Sequence, residues 1–282
     1  MIPQFRSDEK VGLVLGGGGA RGLAAIGIVE VLHEAGLRPT RLAGTSMGAM
    51  VGAFLAAGYA PKEIRELAAS LSWIKVIDVS VRAGLIRGDK FLAWLREYLP
   101  ATFAELEIPL TCTATDIDSG ELIYLSDGDL PLAIRATCAF PGAFEPVKVG
   151  ERNLVDGGLK STVPVLALRG LGLDRVVACD FQPPLDRPVV DLPEGTREMW
   201  AQFWETLTFR RRALAADILL KAVDILQTEV ARHQLAAAPP DLLIAPRMPD
   251  INIEDFRLAD RIIGLGADEA RRALKRLADD RA

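Results

Sequence analysis

The sequence predicts an α/β fold, a three-layer α/β/α arrangement around a mostly parallel central sheet. Two observations carry it. Short apolar runs at Val11 to Leu15 and Arg41 to Thr45 are each followed by a stretch with helical apolar spacing, the order that builds βαβ units. Half of the 282 residues are hydrophobic and a quarter are charged, the balance of a globular chain able to bury a sizeable core.

Each element follows in order. Val11 to Leu15 reads as a buried strand running into the glycines Gly16 to Gly19. Ala20 to Ala35 carries Leu23, Ile26, Val29 and Leu32 at helical spacing, with Gly36 as a left-handed terminator. Arg41 to Thr45 is a second strand, and Met47 to Ala57 a helix closed by Gly58, with Pro61 opening the next. Pro109 to Ile117 and Glu121 to Leu125 form a hairpin across Asp118-Ser119-Gly120; Val147 to Val149 and Asn153 to Val155 form another across Gly150-Glu151-Arg152. Arg175 to Asp180 and Leu242 to Ala245 are further strands, while Thr196 to His233 and Ile253 to Ala282 read as helical. The proline-rich stretch Gln182 to Pro193 is an excursion within one domain, residues 10–282, whose core spans about 10–180 and whose helical elaboration follows from 181.

Composition removes several functional classes. A net charge of −5 offers no basic excess for nucleic acid. Cys112, Cys138 and Cys179 are odd in number and widely spaced, which fits neither a disulfide framework nor zinc, and no spaced carboxylate loop suggests calcium. The uncharged stretch Leu42 to Pro61 is long enough for a membrane span, but its glycines and strand–turn pattern favour a buried strand and helix. Met1 to Lys10 lacks the features of a secretory signal, so a cytoplasmic location is expected.

Gly44-Thr45-Ser46-Met47-Gly48 fits G-x-S-x-G at a strand-to-helix turn. Glycines there permit a strained backbone that projects the serine hydroxyl beside a helix N-terminus. Gly17-Gly18-Gly19-Ala20-Arg21-Gly22 opens the first helix with N–H groups able to meet an anion. It also matches G-x-G-x-x-G, but no acidic residue ends the second strand, which removes the dinucleotide reading. An oxyanion hole beside Ser46 is the better use of these amides. A serine nucleophile needs a base, and the two histidines, His33 and His233, fall on helices remote from Ser46. A carboxylate can serve directly. Asp156, in Val155-Asp156-Gly157-Gly158, is the candidate, although taken alone it also reads as an ordinary Asp-Gly turn.

These motifs together resemble the patatin-like phospholipase family. Ala136-Thr137-Cys138-Ala139-Phe140-Pro141-Gly142 and Ala114-Thr115-Asp116-Ile117-Asp118-Ser119-Gly120 add to the likeness, which runs over roughly residues 10–180. The resemblance implies a lipid acyl hydrolase with a Ser–Asp dyad, Ser46 as nucleophile and Asp156 as base. It places Gly17, Gly18, Gly19 and Arg21 at the oxyanion hole, with Gly22, Gly44, Gly48, Gly157 and Gly158 as structural support. It implies no cofactor or metal, a lipid ester substrate and a peripheral encounter with membranes. One departure is Leu159-Lys160-Ser161-Thr162-Val163-Pro164, where the family often has asparagine before the proline. The alternative is a regulatory or scaffolding protein on the same fold with little turnover.

Trp200, Phe203, Trp204 and Leu207 fall on one face of an expected helix just before Arg210-Arg211-Arg212. That face either covers the core or docks on a lipid interface with the arginines toward anionic head groups. Changing Trp200 and Trp204 to serine decides between them. A core helix loses about 3–5 kcal/mol per truncated aromatic in thermal denaturation. A docking helix keeps its melting temperature and its hydrolysis of soluble esters but loses liposome binding.

Overall fold

The computed structural model describes residues 5–6, 8–70, 86–183 and 221–279. The Trp200–Arg212 stretch, most of the proline-rich excursion and the first half of the long helical region lie outside them. Strands β1 (Val11–Leu15), β2 (Pro39–Thr45), β3 (Leu110–Asp116), β4 (Leu122–Leu125), β5 (Val147–Val149), β6 (Arg152–Asp156), β7 (Arg175–Cys179) and β8 (Leu242–Ile244) form one mixed sheet in the order β5-β6-β3-β2-β1-β7-β8, with β4 also on β3. The run β3-β2-β1-β7-β8 is parallel throughout; β4, β5 and β6 pair antiparallel. Both sequence-predicted hairpins are present.

Alternation along the central strands sorts side chains to two faces. Leu13, Leu15, Leu42, Val177 and Cys179 point to one, where α1 (Ala24–Glu34), α2 (Met47–Ala56) and the C-terminal helix α7 (Ala259–Asp279) cover them. Val14, Ala43, Val176 and Ala178 point to the other, against the turn Val165–Leu168 and helix α6 (221–237) through Ala231. This is the three-layer arrangement the sequence predicts. Leu42 to Thr45 lie in β2 and α2 is a buried core helix; no helix among the described residues is long and apolar enough to cross a membrane.

The structure also differs from the sequence reading. The helix expected from Ala20 starts as a tight 3-10 turn, Gly19–Leu23, and becomes α-helical only at Ala24, because this turn must press Gly22 against Met47. Helix α3 (Pro61–Ser70) opens at Pro61 as expected, but two helices went unread: α4 (Asp89–Tyr98) and α5 (Leu130–Thr137). Both are short: α4 buries only Phe91 and Leu95, while α5 is buried on nearly every side and so shows no alternation of apolar and polar faces. The available signal was Asp129, whose Oδ1 accepts the Leu132 N–H at 2.8 Å to cap α5, with Pro131 in the first turn.

β3 decides where the strand ends meet. β4 pairs Cys112 to Thr115, overlapping both the β2 register (Leu110 to Thr113) and the β6 register (Ala114 to Asp116). A strand has two edges, so β2 and β6 must share the edge opposite β4. They meet end to end: Thr45 stands opposite Thr113 and Asp156 opposite Ala114.

Helices α1 and α7 cross at backbone contact. A Cβ on Gly266 would run into the Ala24 carbonyl, whereas Gly264 on the same helix has open space. Gly→Ala in a helix interior normally gains up to about 1 kcal/mol. Gly264→Ala should therefore raise the midpoint of urea unfolding. Gly266→Ala should lower it by about 1–3 kcal/mol through overpacking.

Candidate functional site

Ser46 must turn the chain from β2 into α2 within one residue. It does so at φ 52°, ψ −126°, the one positive φ outside glycine among the described residues. Such a conformation costs on the order of 1–3 kcal/mol and needs surrounding contacts to hold it. Its neighbours supply them. A Cβ on Gly44 would stand 2.5 Å from the Ala49 Cα, and one on Gly48 would strike the carbonyls of Leu15 and Gly16. The Ser46 N–H donates to Thr137 Oγ1 at 2.8 Å. Below the turn, Thr45 and Thr113 hydroxyls lie 2.6 Å apart, and Thr45 donates to the Ser161 carbonyl at 2.7 Å. This buried network fixes the ends of β2, β3 and the segment after β6 relative to one another.

Asp156 ends β6 and is buried. Its N–H donates to the Ala139 carbonyl at 2.9 Å, and its Oδ1 accepts the Gly158 N–H at 2.7 Å. Its carboxylate lies close enough to the Ser46 side chain for the hydroxyl to favour its charged form. Burial pushes the carboxyl up to about 6; the Gly158 hydrogen bond and the Ser46 hydroxyl pull the other way without cancelling it. Gly157 lies against Thr113 so closely that no side chain fits. The Cys138 thiol lies near Ser46, and burial raises it far above the usual thiol range.

The glycine loop brings its residues to the same place but divides their work. The Gly16 and Gly17 N–H groups donate to the carbonyls of Cys179 (3.0 Å) and Thr162 (2.9 Å), and the Ala20 N–H donates to that of Ile253 (2.8 Å). Gln182 Nε2 donates to the Gly17 carbonyl at 3.0 Å. These bonds pin the loop, so the Gly17 amide expected at the oxyanion hole is committed elsewhere. The Gly18 and Gly19 amides make no hydrogen bond to described residues and border the cavity beside Ser46. Arg21 also differs from expectation. Its buried side chain points to α6, with Nη2 2.7 Å from Asp224 Oδ1, and it stabilises the buried Asp180 carboxylate.

A cavity of about 910 Å³ covers Ser46 and Asp156. Met47, Met50, Phe91, Phe140, Phe144 and Ile253 make it largely apolar, and the exposed Glu254, Arg257 and Asp260 also line it. Neither histidine reaches it. His33 sits in the last turn of α1, where burial and the nearby Arg38 lower its pKa, and His233 Nδ1 is 2.8 Å from the Glu229 carbonyl on the α6 surface. No group of three or more His, Cys, Asp or Glu side chains among the described residues is arranged to hold a metal. Thr137, Cys138, Gln182 and Gln227 belong to this surrounding set and were not assigned roles from sequence. Thr137 and Cys138 lie within a recognisable motif; Gln182 and Gln227 carry no local signal.

Residues 13–169 match the sequence profile of a family described as patatin-like phospholipase. The NTE family protein Rv1063c of Mycobacterium tuberculosis is 31% identical, over 95% of this chain and 92% of the relative. Lysophospholipase NTE1 of Debaryomyces hansenii is 27% identical over 98% of this chain, which spans 18% of that protein. Among solved structures, VipD from Legionella pneumophila superposes with a TM-score of 0.60 over 96% of this chain and 67% of its own, at 16% identity, a likeness of fold.

Burial of Asp156 has a consequence for stability. Its folded-state value of about 6 lies above the ordinary one of 3.8, so between these values the folded state holds the extra proton. Stability therefore falls as pH rises through this window, by about 3 kcal/mol at about 1.4 kcal/mol per unit. Asp156→Asn should accordingly be more stable than the wild type at pH 8, by up to that amount in urea unfolding. The difference should shrink as pH falls through this window and vanish below about pH 3.

Proposed function

Because the chain belongs to the patatin-like phospholipase family, we propose that it is a serine acyl hydrolase of lipid esters working through Ser46 and Asp156. The strained serine and the buried carboxylate, brought to one cavity by the adjoining ends of β2 and β6, carry this reading. Asp156 accepts the Ser46 proton as the hydroxyl oxygen attacks the ester carbonyl. The Gly18 and Gly19 amides donate to the oxyanion of the tetrahedral intermediate. The leaving alcohol takes the proton from Asp156, and an acyl-enzyme remains on Ser46. Water then attacks it with Asp156 again as base, releasing the carboxylic acid. A placed general base contributes about 10²–10⁴-fold and one oxyanion donor about 10²–10³-fold. The N-terminus of α2, which opens at Ser46, adds a favourable dipole.

The cavity supports an amphiphilic substrate. Its apolar wall suits an acyl chain, and the exposed charged residues suit a polar head group. Phospholipid or lysophospholipid fits this description, consistent with the lysophospholipase named among the relatives. Peripheral contact with a lipid surface from the cytoplasmic side completes the reading.

A fluorophosphonate probe tests it directly: the wild type should be labelled and Ser46→Ala should not. Asp156→Asn should lower kcat on p-nitrophenyl esters by about 10²–10⁴-fold, since the side chain keeps its shape but loses the proton acceptor. Replacing both His33 and His233 by Gln should leave most activity. Turnover should rise with pH through about 6, as the Asp156 carboxylate ionises. Equal labelling of wild type and Ser46→Ala, with no ester turnover, would instead favour a regulatory protein.

A further inference from the structure

One buried polar side chain of the cavity wall, besides Asp156, comes from outside the sheet. Gln227, on α6, is 6% exposed. Its main-chain carbonyl accepts the Thr162 hydroxyl at 3.1 Å. Its carboxamide makes no hydrogen bond to any described residue, and it lines the cavity together with Ser46 and Asp156. The carboxamide opens to the cavity rather than being sealed in the core, so a water or ligand there can take its hydrogen bonds.

The position is specific. A Cβ on Gly158 would stand 2.6 Å from Gln227 Nε2 and 3.1 Å from Asp156 Oδ1. The carboxamide thus occupies space that only glycine leaves open, and it lies within about 6 Å of the carboxylate. One water spans such a gap with two hydrogen bonds of about 2.8 Å each.

We propose that Gln227 is a positioning residue for the water that deacylates the enzyme; this rests on the Ser46–Asp156 reading above. The attacking water must give its proton to Asp156 while its lone pair points at the acyl carbon. One hydrogen bond does not fix that orientation, and buried waters typically make about three. The Gln227 carboxamide supplies a second. In the step itself the water oxygen bonds to the acyl carbon and its proton passes to Asp156. The bond from that carbon to Ser46 Oγ breaks, and Ser46 recovers the proton from Asp156. Acylation uses no water, so Gln227 acts on the second half-reaction alone.

Stopped-flow hydrolysis of a p-nitrophenyl ester by wild type and Gln227→Leu tests this, with intact-protein mass spectrometry and fluorophosphonate labelling in parallel. Leucine keeps the volume and suits a helix. The variant should be labelled within about twofold of the wild-type rate. It should release a burst of one p-nitrophenolate per enzyme, then turn over about 10²-fold more slowly, with the acyl mass accumulating on the Ser46 peptide. Gln227→Asn, which keeps a carboxamide but withdraws it by one methylene, should show the same burst and guards against misfolding of the leucine variant. Unchanged turnover without a burst would overturn the proposal, as would an equal fall in labelling and turnover. A wild type whose Ser46 never becomes acylated would instead overturn the dyad. A burst-free Gln227→Leu on an enzyme that does acylate overturns only the role of Gln227.

Discussion

The sharing of one β3 edge by two strands is the constraint on which the rest of this molecule depends. β2 runs parallel along β3 as far as Thr113, and β6 arrives antiparallel from the opposite direction to stop at Ala114. Their C-terminal ends therefore face each other across one residue step. Any side chain that leaves those ends on the same side is brought together by main-chain hydrogen bonding, before side-chain packing contributes. Ser46 follows one end and Asp156 is the other. β4 on the far edge of β3 makes this arrangement obligatory, because it leaves β6 no other place to pair.

Two unfavourable features are concentrated at that junction. Ser46 holds a backbone conformation foreign to non-glycine residues, and Asp156 carries an ionisable group in a buried place. Both persist because their surroundings are over-determined. Gly44, Gly48 and Gly157 let main chain lie on main chain, Thr137 binds the Ser46 N–H, and the Thr45–Thr113–Ser161 network ties three segments beneath the turn. Burial gives up stability, yet it also leaves Asp156 more basic than a solvated carboxylate. A carboxylate of about 6 accepts a proton more readily than a solvated one while still being ionised near neutral pH, as the proposed general base would need to be.

The helical layer completes the site from outside the sheet. α6 sends Gln227 to the cavity and receives the Arg21 guanidinium at Asp224. Arg21 belongs to the same short segment as the free Gly18 and Gly19 amides, so this buried ion pair couples the docking of α6 to the loop that borders Ser46. The loop is held from several directions: β7 through Cys179, the segment after β6 through Thr162, and the approach to α7 through Ile253. A loop fixed in this way keeps its amides oriented before any ligand arrives, which the proposed oxyanion role would require.

What the sequence by itself determined is what depends on near neighbours. The apolar runs fixed β1, β2 and α2. The turn residues fixed both hairpins. The G-x-S-x-G spacing fixed the serine turn, because a strained backbone demands glycines two positions to either side of it in a local, countable pattern. Asp156 was half legible: its strand was clear, but Asp-Gly-Gly alone describes an ordinary turn, and only the resemblance to a family singled it out. The short helices escaped for opposite reasons: α4 buries only two residues, too weak a period, and α5 is buried on nearly every side, which leaves no period at all. The tertiary structure alone decided which amides stay free, committing Gly17 to Thr162 while leaving Gly18 and Gly19 open. It also turned Arg21 away to Asp224 and brought Gln227 beside Asp156. Three consecutive glycines offer three chemically equal N–H groups. Which of them finds a carbonyl depends on chain more than a hundred residues away, so no local pattern can record the outcome.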